Sequence, residues 1–374
     1  MNEKQTVIAM SGRDGFIGRK VALRLDREAD VRMLPLARDD FRSAATLASA
    51  LDGAGTIIHL AAKNRADPEE LYSTNVGLVR TLVEAARLLT IQPHILFASS
   101  TQRTNDSAYG RSKRDGEKLL VSWARESGAP LTLLVIPNVF GPGCRPFYNS
   151  VVATFAYRFA RGERPEIQID KELELVHVAD LAEVIARAAL HRPSGVSRPT
   201  VEPTYRRTVS LLFADFERFA LALFGDRTVP ALRTRLDALL YSTFQSYLAY
   251  EGFRYGPPLH QDPRGVLMEC VRQELGGQVF FSTTKHGVIR GNHYHTRKLE
   301  KFCVLKGEAV IRLRRVGSSE VVEYRVSGER PEILDIPVFH AHNIENVGDE
   351  DLYTLFWASE IFDPDDPDTY PEEV

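Results

Sequence analysis

The first part of the chain alternates short apolar runs with longer stretches whose apolar residues recur at helical spacing. TVIAM (6–10), VRMLPLAR (31–38), TIIHLAA (56–62), PHILFAS (93–99) and the run from Leu131, ending at Pro137 and Asn138, read as strands, TIIHLAA with the pattern of one buried on both faces. Between and after them, the stretches beginning at Phe16, at Leu71, after Ser107, NSVVATFAYRFARGERP (149–165) and TVSLLFADFERFALALFG (208–225) read as helices. Strands alternating with helices predict an α/β Rossmann-like, doubly wound parallel sheet with its ligands at the strands' C-terminal ends. After Pro258 the texture changes to short β-rich runs: GVLMECV, GQVFFSTT, KFCVLKGEAVIRLRRV, VVEYRVSG, EILDIPV and LYTLFWASE. Runs at that spacing predict an all-β sandwich or barrel. The Tyr-rich segment from Thr228 to Pro258 reads as the inter-domain connection, giving expected domains at 1–255 and 256–374.

Composition changes this picture little. The 374 residues, 44% apolar and 26% charged, suffice for one large and one smaller core. The balance of 47 basic against 50 acidic residues, net −3, excludes a general polyanion binder, so no nucleic-acid partner is expected. No apolar run approaches the roughly 20 residues that span a bilayer, and MNEKQ leads straight into the first strand. A cytoplasmic protein without membrane insertion is expected. Cys144, Cys270 and Cys303 are odd in number and far apart, against a disulfide framework or zinc-thiolate cluster.

Candidate chemistry begins at SGRDGFIG. Gly12, Gly15 and Gly18 stand between a strand and a helix, where glycines let the backbone approach a pyrophosphate at the positive helix end. About 20 residues on, where an NAD site places a carboxylate, this chain has Arg38. With Arg13 inside the loop, two guanidiniums suit a 2′-phosphate, and the expected cofactor is NADPH. Tyr109 and Lys113, at i and i+4, share a face if the segment after Ser107 is helical. A nearby ammonium is expected to lower the phenol's pKa and suit it to proton transfer. Ser99, Ser100 and Thr101, at the end of a strand, can polarise the same substrate oxygen.

The order of motifs closely resembles the extended short-chain dehydrogenase/reductase family over roughly the first 250 residues. The matching stretches are SGRDGFIG (11–18), HLAA (59–62), TNVGLVRTLVEAA (74–86), Ser99 and Ser100, YGRSK (109–113), PNVFGPG (137–143) and VHVAD (176–180). The resemblance implies Tyr109 as general acid, Lys113 on the nicotinamide ribose, and Ser100 as third member, with Thr101 as the fallback. Asn75 would support the active site. Gly12, Arg13, Gly15, Phe16, Ile17, Gly18, Leu60, Ala61, Ala62 and Pro137 would line the cofactor, and Ser99, Thr101, Asn138, Asn149 and Ser150 the substrate. The family usually has threonine before its first glycine and alanine after it; here Ser11 and Arg13 stand instead.

The β-rich part contains G-x5-H-x-H-x4-E-x6-G (Gly287, His293, His295, Glu300, Gly307) and then P-x4-H-x3-N (Pro337, His342, Asn346). These resemble the paired motifs of the cupin family, a double-stranded β-helix or jelly roll. His293 and His295, two apart on a strand, point to one face, and Glu300 and His342 can complete a three-nitrogen, one-oxygen site for a divalent metal, with zinc expected. Where that family usually has glycine, two residues after the proline, Phe339 stands, followed by His340; a ring there is expected to reshape the pocket floor.

As a whole, the chain resembles the bifunctional capsular-polysaccharide enzymes of the CapF/WbjC type, most tellingly at NVFGPGCRPFYNSVVATF (138–155), GNHYHTRKLEKF (291–302) and LDIPVFHAHNIENVGD (334–349). The resemblance implies a UDP-2-acetamido-2,6-dideoxy-4-hexulose as substrate, epimerised at C3 in the cupin and then reduced at C4 with NADPH to UDP-2-acetamido-2,6-dideoxy-L-talose, on the way to UDP-N-acetyl-L-fucosamine. A homodimer is expected on the same ground. For the epimerase base, His340 and Lys301 are candidates by proximity to the motifs. The competing readings are a reductase whose cupin only docks or dimerises, a non-enzymatic sensor, and a 4,6-dehydratase or 4-epimerase on the same fold.

Overall fold

The computed structural model describes residues 5–249 and 256–374. These form two compact units: one takes the described residues up to Phe216 together with Ala238–Tyr247, the other Glu217–Asp237 and the described residues from Leu248. The expected boundary after residue 255 lies at the edge of 250–255, outside the described residues. Within the segment read as a connection, Arg235–Gln245 is helical.

In the first unit, β1 (Thr6–Ser11), α1 (Phe16–Leu25), β2 (Val31–Leu36), α2 (Ala44–Ala50), β3 (Thr56–His59), α3 (Pro68–Leu88), β4 (His94–Ser100), α4 (Ala108–Ser127) and β5 (Leu131–Ile136) follow in turn. The chain continues through β6 (Asn138–Phe140), α5 (Val151–Phe159), β7 (Glu172–His177), α6 (Val178–Leu190), β8 (Val196–Ser197) and β9 (Tyr205–Thr208) to α7 (Val209–Phe224) and α8 (Arg235–Gln245). A parallel sheet runs in the order β2-β1-β3-β4-β5-β8. Alternate residues of each strand enter opposite layers. Ala9, Ile57, Ile95 and Phe97 pack with Leu47, Val79, Leu82, Leu120 and Trp123 of α2 to α4. Ile8, Met10, Ile58 and Leu96 pack with Val21, Leu25, Leu181 and Ile185 of α1 and α6. Burial on both faces is why these strands read as continuous apolar runs.

The strand order reverses at β1, which opens a crevice between β1 and β3 at their C-terminal ends. The strand expected to end at Pro137 and Asn138 does so, and β6, which starts at Asn138, leaves the main sheet to join β7 and β9 in a separate three-stranded sheet. Proline lacks the N–H that a central ladder needs.

The second unit contains β10 (Leu259–Asp262), β11 (Gly265–Gln273), β12 (Gly277–Thr284), β13 (Ile289–Tyr294), β14 (Glu300–Lys306), β15 (Glu308–Arg315), β16 (Val321–Ser327), β17 (Ile333–Ile336), β18 (His340–Asn346), β19 (Leu352–Ala358) and β20 (Tyr370–Pro371). Two antiparallel sheets run β10-β11-β12-β19-β14-β17 and β16-β15-β18-β13-β20. From β12 onward the chain passes back and forth between them, the winding of a jelly roll. Their inner faces share one core of Phe302, Val304, Ile336 and Leu352 from one sheet with Ala309, Ile311, Leu313 and Ile344 from the other.

Candidate functional sites

At the crevice of the first unit, Gly12 has φ +73°, and a Cβ there would lie 2.9 Å from the Ala61 amide nitrogen. A Cβ on Gly18 would stand 2.0 Å from the Gly12 carbonyl oxygen. Only glycine permits this turn to fold against the next one. Gly15 precedes α1, with Phe16, Ile17 and Gly18 in its first turn. The other wall is Leu60, Ala61 and Ala62; Leu60 donates its amide to the Ser11 carbonyl and Ala61 to the Ser11 hydroxyl, both at 3.3 Å. Arg13 Nε is buried without a hydrogen-bond partner. Arg38 is exposed and opens a 3-10 turn directly after β2. Both carboxylates that follow it are engaged locally, Asp39 with Arg42 at 2.9 Å and Asp40 accepting from the Ala37 amide at 2.7 Å.

Tyr109 and Lys113 lie on one face of α4, which starts where the Ser107 hydroxyl caps the Gly110 amide. Lys113 is buried, donates from Nζ to the Ala98 carbonyl at 2.7 Å and lies 5.6 Å from the Tyr109 ring centroid. Burial brings its pKa down to about 8, partly offset by Glu117. The expectation for the phenol is corrected. Burial pushes Tyr109 up to about 12, opposed by Ser100, and Lys113, itself brought down to about 8, has already lost its charge where the phenol ionises. Ser100 accepts from the Gln102 amide at 3.2 Å, which leaves its O–H to donate to Tyr109. Asn75 is buried and clamps residue 63, accepting from the Lys63 amide at 2.7 Å and donating to its carbonyl at 2.9 Å.

Several expected substrate groups have partners of their own. Ser99 donates to the buried Glu117 carboxylate, and the Thr101 carbonyl accepts from the Thr104 hydroxyl at 3.1 Å. Asn138 donates to the Glu174 carbonyl at 3.1 Å, and Ser150 caps α5. Asn149 accepts from Arg65 Nε at 3.2 Å. Pro137 sits at the break between β5 and β6. Two groups went unread in the sequence: Glu117, and His59, which shares a 2.8 Å hydrogen bond with Ser11 and is pushed down to about 3 by burial and by Lys113. Glu117 lies one helical turn past Lys113, and that spacing was the available signal.

In the second unit, the ligand atoms of His293, His295, Glu300 and His342 all lie within 4.8 Å of one another. Glu300 Oε2 stands 3.3 Å from His295 Nε2 and 3.1 Å from His342 Nε2, and these three atoms are buried without hydrogen-bond partners. Orphaned buried lone pairs are what a divalent cation, at roughly 2.1 Å from each, would satisfy. The tautomers agree. His295 Nδ1 donates to the Asp368 carbonyl and His342 Nδ1 to the His340 carbonyl at 3.1 Å, so each Nε2 presents its lone pair. Burial pushes His293 down to about 4, so it is neutral at pH 7.

The buttress of this cluster also went unread. Asp368 accepts from the amides of Thr296 (3.0 Å), Arg297 (3.0 Å) and Lys298 (2.8 Å), and β20 pairs Pro371 with His293. The tail shows no period that betrays this; it acts through sequence-distant backbone contacts. Phe339 has φ +56°, the left-handed backbone that suits glycine. Its ring is half exposed and stacks 6.5 Å from Tyr294, whose side chain alternates away from those of His293 and His295. The ring therefore joins the Tyr294 face and does not form the floor of the cluster.

Comparison with known proteins follows the same division. Residues 8–201 match the NAD dependent epimerase/dehydratase family, and residues 260–370 match the polysaccharide biosynthesis C-terminal domain. A UDP-2-acetamido-2,6-beta-L-arabino-hexul-4-ose reductase of Pseudomonas aeruginosa strain PA103 is 34% identical over 365 residues, 97% of each chain. The spore coat polysaccharide biosynthesis protein SpsL of Bacillus subtilis is 28% identical over 121 residues, 29% of this chain and 79% of that protein. The crystal structure of the capsular polysaccharide assembling protein CapF from Staphylococcus aureus superposes with TM-score 0.85 at 38% identity, covering 98% of this chain and 100% of that one. Matched end to end in sequence and in structure, the chain belongs to the NAD dependent epimerase/dehydratase family, in its two-domain CapF type.

Proposed function

We propose that this protein converts a UDP-2-acetamido-2,6-dideoxy-4-hexulose at two sites, epimerising C3 in the β-rich unit and then reducing C4 in the Rossmann-like unit to UDP-2-acetamido-2,6-dideoxy-L-talose. The observation that carries the reductive half is Tyr109 on α4, protonated at neutral pH, one turn from the buried Lys113, which is held to the Ala98 carbonyl of β4 beside Ser100. A ketone being reduced needs a proton at its oxygen as hydride arrives at carbon, and a phenol near 12 holds that proton. The whole-length likeness to a named 4-ketosugar reductase supports the same direction.

NADPH would supply the hydride when bound along the glycine loop. Arg13, with its partnerless Nε, and Arg38, beside carboxylates already engaged, favour a 2′-phosphate. Lys113 would hold the nicotinamide ribose, and Ser100 would share the substrate oxygen with Tyr109. His293, His295, Glu300 and His342 would hold the metal, for which zinc suits the donor set, and a divalent ion there supplies positive charge for an enolate oxygen. The C4 ketone acidifies the C3 proton, so epimerisation precedes reduction, which destroys that acidity. Of the two candidate bases, Lys301 alternates away from Glu300 on β14 and pairs with Asp335, whereas His340 shares the His342 face of β18. His340 is therefore the base in this reading.

Among the described residues no helix is long and apolar enough to cross a membrane. A cytoplasmic homodimer is part of the proposal, checked by fractionation and by sedimentation. The test of function is incubation with the UDP-4-hexulose in D2O, following C3 by NMR without and then with NADPH. Deuteration without cofactor, followed by NADPH-dependent reduction, is expected. Reduction with no deuteration above an enzyme-free control would leave a reductase with a docking domain.

A further inference from the structure

Three consecutive residues at the end of β4 are each tied to one face of α4. The Ala98 carbonyl accepts from Lys113 Nζ at 2.7 Å, the Ser99 hydroxyl donates to Glu117, and the Ser100 hydroxyl meets Tyr109. Tyr109, Lys113 and Glu117 stand at i, i+4 and i+8, one above another on the helix. The outer rungs already have roles in the proposed reduction, and the middle one has none. Yet Glu117 is only 4% exposed, and a carboxylate so placed is costly unless it is held by partners. Beyond Ser99 it is met by Arg103 Nη1 at 3.2 Å, from the turn after β4, and by Arg198 Nη2 at 3.9 Å, from the segment after β8. Three segments therefore converge on this one carboxylate of α4, behind the proposed proton donor. An apolar side chain could pack α4 on the sheet; it could not fix the strand end in this register.

We propose that Glu117 is a positioning residue for C4 reduction, anchoring Ser99 so that the Ala98 carbonyl and Ser100 hydroxyl flanking it hold Lys113 and Tyr109 at the substrate. It touches neither substrate nor cofactor, and the inference rests on Tyr109 being the proton donor. Its charge also faces Lys113; the other titratable groups around that ammonium are His59 from β3, which burial keeps neutral, and Tyr109 on the same helix, while β4 contributes the Phe97 ring.

Glu117→Gln and Ser99→Ala, made in the full-length protein and assayed for NADPH-dependent reduction, test this. Glu117→Gln is expected to lower kcat roughly 10- to 100-fold with little change in KM, and to move the alkaline limb of the pH profile down by about half a unit or more as Lys113 loses its neighbouring charge. Ser99→Ala is expected to lower kcat while leaving that limb in place, and Glu117→Asp to restore the limb. Wild-type kcat in both Ser99→Ala and Glu117→Gln overturns the proposal. If Glu117→Gln does not fold, Ser99→Ala decides alone, a lowered kcat at unchanged thermal midpoint supporting the proposal and an unchanged kcat overturning it. If the wild type reduces no ketosugar, the proposed function fails instead, and the ladder is read by ultraviolet titration of the Tyr109 phenol against Tyr109→Phe. A shift of that titration in Ser99→Ala supports the positioning role, and coincident curves overturn it.

Discussion

Around Tyr109 three buried polar side chains are satisfied by their own chain: Lys113 by a carbonyl, Glu117 by a hydroxyl and two guanidiniums, Asn75 by the N–H and the carbonyl of Lys63. At His293, His295, Glu300 and His342 the opposite holds, and three buried atoms converge on one another without partners. The contrast teaches what each site is prepared to receive. A proton donor works when its protonation state is set before substrate arrives, and the first unit sets it by burial and a serine. A cluster suited to a metal keeps its lone pairs from other donors, and the second unit does so at His295 and His342 by spending each Nδ1–H on a carbonyl.

If the two sites are as separate as this contrast implies, they can be broken one at a time. The largest effect is expected from Tyr109→Phe, which should cut reduction roughly 10²- to 10⁴-fold and leave C3 deuterium exchange unchanged; parallel NMR and NADPH-oxidation assays check it. His342→Ala should do the reverse, abolishing exchange and lowering bound metal by elemental analysis while reduction of already epimerised sugar continues. Asp368→Ala removes no ligand but frees the 296–298 loop, and should weaken metal affinity by roughly 10- to 100-fold in chelator competition. Arg38→Ala should erode the preference for NADPH over NADH by about 10-fold, the worth of one charge-assisted hydrogen bond.

The smallest effect expected is on pH. Lys113 lies below its ordinary value, at about 8, so its ammonium is complete below that pH and is lost as pH rises through it. For kcat/KM of the cofactor, which reports the free protein, an alkaline limb near 8 is expected, and a profile flat to pH 10 would show that Lys113 contributes no charge. The stability sign follows. A folded pKa below the unfolded one means the buried charge opposes folding at neutral pH, and this opposition is relieved between about 8 and the ordinary lysine value.

Much of this was legible in the chain. The strands of the first unit could be read because both faces are buried, and the glycine loop because Gly12 and Gly18 leave no room for a Cβ. The convergence of His293, His295, Glu300 and His342 could be read because strand alternation aims His293 and His295 together. What escaped has a common cause. Asp368 braces a loop 70 residues away, and Phe339 turns its ring toward Tyr294, both through contacts that no local period encodes. The direction of the Tyr109 shift escaped because it is set by burial, which the spacing of Tyr109 and Lys113 does not encode.

By itself the sequence determined the class of each unit and which candidate side chains stand together at the crevice and in the His/Glu cluster, because periodicity, glycine geometry and residue spacing are short-range properties of the chain. Only the tertiary structure decided which carboxylate holds the strand end behind Tyr109, which backbone carbonyls orient the imidazoles and which charge state the phenol rests in. Those depend on burial and on partners brought together from distant segments, and burial is a property of the packed fold.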